Sequence, residues 1–71
     1  MAEVRNDYTD ELNYVHIDYW NTESDEEEGR TIAIICKDTK KVFFIDNRFR
    51  KDPLVIETIE ETLKNMQYDK I

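Results

Sequence analysis

The chain holds one histidine, His16, and one cysteine, Cys36, and both fall in strand-like sequence. Brought together by strand pairing, they would form a Cys–His dyad. A nucleophilic thiol needs an activating, partly exposed setting. Cys36 instead follows Ile34 and Ile35, which reads as a small, inert core residue. The only glycine is Gly29, too little for a phosphate-cradling loop. One cysteine and one histidine are too few for a zinc site. A non-enzymatic protein with no catalytic residues, no metal and no cofactor is therefore expected.

Two charged segments carry the binding chemistry. Residues 1–28 hold ten acids against one base, Arg5, while residues 29–71 hold nine bases against seven acids. The net charge of −7 is therefore a property of the front of the chain. The densest acidic part is Glu23, Asp25, Glu26, Glu27 and Glu28. Such a run attracts basic protein surfaces and speeds association with them, in the manner of a polyanion mimic. It also does the plainer work of keeping a small protein dispersed. It lacks the alternating ligand spacing and turn glycine of a calcium loop.

The opposing segment, 37–51, carries Lys37, Lys40, Lys41, Arg48, Arg50 and Lys51 against Asp38 and Asp46, interleaved with Phe43, Phe44 and Phe49. Basic residues beside aromatics bind single-stranded nucleic acid through phosphates and base stacking. Lys40, Lys41, Arg48, Phe49, Arg50 and Lys51 are the contacts that such binding would use. An overall charge of −7 opposes it, and lysines at a hairpin tip also serve to discourage edge pairing.

These side chains must be positioned by a small scaffold. At 71 residues the chain makes one domain, which buries only about 60% of the surface its unfolded form exposes. Residues 1–12 are polar and read as a loosely held terminus. Residues 14–20 alternate with period two and predict a strand, placing Val15, Ile17 and Tyr19 on one side and Tyr14, His16, Asp18 and Trp20 on the other. Residues 21–29 have no apolar side chain and predict an acidic loop. Strands follow over 31–37 and 41–47, joined by the short turn Asp38-Thr39-Lys40. A three-residue turn would set Ile35 opposite Phe43 and Ile34 opposite Phe44. Asp52 suits an N-cap and Pro53 a first helical position. Val55, Ile56, Ile59, Leu63 and Met66 then form an apolar stripe. The expected fold is α+β: a three-stranded antiparallel meander, with one C-terminal amphipathic helix packed on one face.

That sheet has more apolar side chains than one helix covers. On this pairing Ile32, Ile34, Cys36, Val42 and Phe44 share a face, while Ala33, Ile35, Phe43 and Ile45 share the other. Monomers rarely leave large apolar patches in water. The open face, with Tyr14, Trp20, Ile35, Phe43 and Ile45 as its contacts, is thus expected to meet a second copy or another protein, the plainer alternative being that residues 1–12 fold over it with Val4, Tyr8 and Leu12. No apolar run reaches the length of a membrane span, and no basic-then-apolar leader opens the sequence. With a lone thiol, this predicts a cytoplasmic protein. The expected function is a small acidic interaction module of the inhibitor, antitoxin or phage-modulator kind. It would act as a homodimer on a basic partner, and a nucleic-acid accessory role through 37–51 is the alternative.

Overall fold

The computed structural model describes residues 2–21 and 28–68. Four strands, β1 (Ala2–Thr9), β2 (Tyr14–Asn21), β3 (Glu28–Cys36) and β4 (Val42–Phe44), precede a short 3₁₀ turn at Asn47–Phe49 and the helix α1 (Pro53–Tyr68). The strands form one antiparallel sheet in chain order, β1-β2-β3-β4. The architecture is the expected antiparallel sheet followed by a helix, with four strands rather than three. The added strand is β1, which the sequence suggested to be a loose terminus. Its alternation is hidden by an irregularity: Arg5 pairs with Asp18 but Tyr8 with His16, so β1 carries an extra residue there.

Two turns fix the register. Asp10 opens the β1–β2 turn, its Oδ1 accepting from the N–H groups of Leu12 at 2.9 Å and Tyr14 at 3.0 Å. Asn13 closes that turn at φ 65°, in the left-handed region that asparagine tolerates. At the β3–β4 turn the Lys40 N–H donates to the Cys36 carbonyl and the Cys36 N–H to the Lys41 carbonyl, with Lys40 at φ 62°. The loop is therefore one residue longer than the sequence suggested. Ile35 consequently pairs with Val42, Ile34 with Phe43 and Ala33 with Phe44. A one-residue slip exchanges the faces of a strand's side chains.

β3 contains a second irregularity. Ile17 pairs with Ala33 but Asp18 with Thr31, which leaves Ile32 as the extra residue. Ile32 and Ala33 are both fully buried although adjacent, as a bulge permits. Ile32 therefore joins the core rather than the face of Ile34. Beyond the bulge the alternation is inverted: Thr31 faces away from the helix and Arg30 falls on the side of Tyr19.

The core lies between the sheet and α1. Val15, Ile17, Ile32, Ala33 and Ile35 pack with Val55, Ile59 and Met66, flanked by Val4, Tyr19, Val42, Phe44, Phe49 and Leu63. Asp52 caps α1, its Oδ1 accepting from the N–H groups of Leu54 at 3.0 Å and Val55 at 3.3 Å. Ile56, expected in the buried stripe, is exposed, and Thr62 is buried in that stripe. Thr62 Oγ1 donates to the Thr58 carbonyl at 2.7 Å and accepts from Asn6 Nδ2 at 2.6 Å. The polar atoms are thereby satisfied, and α1 is tied to the bulge of β1. Among the described residues no helix is long and apolar enough to cross a membrane.

Candidate interaction surface

The helix covers the face of Val15, Ile17 and Ile35. On the other face the strand register places four residues in a straight row across the whole sheet: Tyr8, His16, Ile34 and Phe43, one from each strand. Side chains directly opposite on one face are contact neighbours. Tyr8 packs edge-on against His16, with ring centroids 4.9 Å apart. Tyr8 is 55% and Phe43 49% exposed, so the two ends of the row are open to solvent. Tyr14 and Cys36 form the next pair toward the turns.

A polar chain runs beside this row. Asp10 Oδ2 lies 2.8 Å from His16 Nε2, His16 Nδ1 lies 3.3 Å from Thr31 Oγ1, and Thr31 Oγ1 donates to Asp18 Oδ1 at 2.8 Å. The Thr31 hydroxyl proton is used on Asp18, and the Asp10 carboxylate accepts from His16 Nε2–H. The hydrogen bond from His16, aided by the N–H groups of Tyr14 and Leu12, holds the Asp10 carboxyl below the usual carboxylate range. The arrangement locks the imidazole between two carboxylates and cross-links the β1–β2 turn to β3. Cys36 is turned elsewhere. Its thiol meets the side chain and backbone of Thr39, which lower its pKa. Both members of the imagined Cys–His dyad are thus engaged with other partners.

The far end of the face is a layered stack. Trp20 lies over Gly29, where any side chain would collide with the indole. The Arg5 guanidinium lies over the Trp20 ring, 4.4 Å from its centroid. Arg5 Nη2 also bonds Glu3 Oε2 at 3.3 Å. Trp20 Nε1 is buried without an acceptor among the described residues.

Of the five residues expected on the open face, Tyr14, Trp20 and Phe43 lie on it, and Ile45 follows β4 at 62% exposure. Ile35 does not. It is fully buried in the core, because the longer β3–β4 turn shifts the register and the helix takes its face. Glu23, Asp25, Glu26 and Glu27 lie outside the described residues, and Glu28 begins β3. In the basic segment, Arg48 folds back onto Asp46, with Nε 3.0 Å from Oδ1 and Nη2 2.7 Å from Oδ2. Phe49 packs on Tyr19 with centroids 4.8 Å apart, so it is not a free stacking ring. Lys40, Lys41, Arg50 and Lys51 border the same turn and connector, with Arg50 over Phe44 at 5.8 Å.

Sequence reasoning did not find Tyr8, Asp10, Thr31 or Arg5 as members of this face. Asp10 was legible only as one of the front's acids, and its carboxylate acquires its role when β2 returns His16 beside it. Thr31 reaches the face only through the bulge at Ile32. On the helix side, Asn6, Thr9, Lys37, Thr62 and Asn65 line a shallow open cavity of about 230 Å³. Comparison with protein-family models, with curated proteins and with solved structures returns no match.

Proposed function

We propose that this chain is a non-enzymatic interaction module that pairs with a second copy through its uncovered sheet face and presents its acidic front to a basic protein surface. The observation that carries the reading is the row Tyr8, His16, Ile34 and Phe43, which crosses all four strands and ends in half-exposed rings. On this face Glu3 pairs with Arg5, and Asp10 and Asp18 are hydrogen-bonded to His16 and Thr31. A small domain with marginal burial gains stability from pairing with a second copy. The other acids of the front, Asp7, Glu11 and those of segment 23–28, are the ones offered to a cationic partner. The lone thiol suits a reducing compartment, and we place the module in the cytoplasm.

Solution mass across a concentration series tests the pairing. The expected result is a species of twice the 8.6 kDa chain, converted to monomer by Phe43→Asp with the fold intact by circular dichroism. A monomer at every concentration, unaffected by that substitution, would refute it. Capture on an immobilised arginine-rich peptide tests the acidic front. Lysine at positions 26–28 should slow association, and an unchanged on-rate would remove that part of the reading.

A further inference from the structure

The bulge at Ile32 inverts the phase of β3 and carries Arg30 to the connector before α1. There Arg30 Nη2 lies 3.0 Å and Arg48 Nη2 2.7 Å from the same oxygen, Asp46 Oδ2. Arg48 is further fixed by its Nε on Asp46, and Arg30 by the Phe49 ring, 5.6 Å from its guanidinium carbon. Asp46 itself is anchored from below, its Oδ1 accepting from the Arg48 N–H at 3.1 Å to cap the 3₁₀ turn. Among the described residues, two guanidiniums thus converge on one carboxylate.

From this geometry we infer an anion site at the β3–connector corner, in which Arg30 and Arg48 together accept a phosphate group. Each guanidinium has five N–H donors in a fixed fork. Among the described residues, Arg48 spends Nε and Nη2 on Asp46 and Arg30 spends only Nη2. The two arginine side chains are 56% and 74% exposed, while Asp46 is 17% exposed. The two Nη2 nitrogens share one oxygen, and each guanidinium keeps further N–H groups for a tetrahedral oxyanion. Charge-assisted bonds of this kind are short and strong.

The local field agrees. Arg50 and Lys51 follow on the same connector without a carboxylate partner among the described residues. The nearest acid in sequence, Asp52, is committed to the helix N-cap. Pre-positioning also matters. Asp46 and Phe49 hold the two long side chains in place, so less rotamer freedom is lost when the ligand binds. An exposed ion pair adds little to stability, so a second arginine on one carboxylate is better accounted for by a ligand than by folding. Phe49 is packed on Tyr19 and offers no ring to a base, which favours an isolated phosphate group over a nucleic-acid strand.

The test is a titration of the full chain with inorganic phosphate and with pyrophosphate, following the arginine Nε–Hε resonances. Sodium chloride at matched ionic strength is the reference. Saturable shifts at Arg30 and Arg48 are expected, weakened about tenfold by either Arg30→Gln or Arg48→Gln and unchanged by Lys64→Gln. Single-stranded oligonucleotide should bind no better than its phosphates predict. Shifts that grow linearly, that chloride reproduces, or that persist in both arginine variants would overturn the site. A tight oligonucleotide complex lost on Phe49→Leu would replace it with the nucleic-acid reading.

Discussion

Ile32→Ala and Ile34→Ala, two residues apart on one strand, should behave very differently. In regular alternation they share a face and similar surroundings. With the bulge, Ile32 is fully buried in the core while Ile34 sits half-buried on the uncovered face between His16 and Phe43. Truncating a fully buried isoleucine removes its transfer free energy and leaves a cavity, about 2–5 kcal/mol. Truncating a half-buried one forfeits roughly half of a side chain's burial, about 1 kcal/mol. A domain of this length is stable by only about 4–11 kcal/mol. Ile32→Ala should thus lower the melting temperature by at least about 8 °C, and Ile34→Ala by well under that. Urea unfolding followed by circular dichroism reads both, with equal slopes certifying that the same surface unfolds. Equal losses for the two variants would mean that β3 is regular. The placement of Arg30 and Thr31 would then fail with it.

Acid should loosen two carboxylate anchors. Asp46 is held down from 3.8 to about 2, first by its hydrogen bond with the Arg48 side chain. A depressed carboxylate stabilises above its unfolded pKa and loses that contribution as pH falls through its folded one. The stability difference between the parent and Asp46→Asn should therefore shrink between pH 3.8 and about 2, in urea melts at stepped pH. Asp10 is shifted the same way by His16, and Asp10→Asn should raise amide exchange in the β1–β2 turn at neutral pH. Unchanged exchange there would show that Oδ2 and His16 do not hold the hairpin. Gly29→Ala forces the Trp20 indole off its seat and should cost about 1–3 kcal/mol, with a change in tryptophan fluorescence. An unperturbed emission spectrum would contradict the stacked arrangement of Arg5, Trp20 and Gly29.

Local patterning made part of this protein legible in advance. The strand at 14–20 follows from its period-two alternation, and the helix from Asp52, Pro53 and the stripe through Val55, Ile59 and Met66. Those signals lie within a few residues of each other and need no partner to be read. The uneven charge is likewise a property of the chain alone. Tertiary structure decided the rest, because faces are assigned by registers, and each register turns on a single residue. One additional loop residue at Lys37 moved Ile35 from the open face to the core. An extra residue in β1 concealed a strand among Asn6 and Asp7, and with it Tyr8. The bulge at Ile32 sent Thr31 to the His16 chain and Arg30 to Arg48. A bulge has no composition of its own. It is selected by what the sheet gains in burying Ile32 and Ala33 together, and that gain exists only once α1 has folded across them.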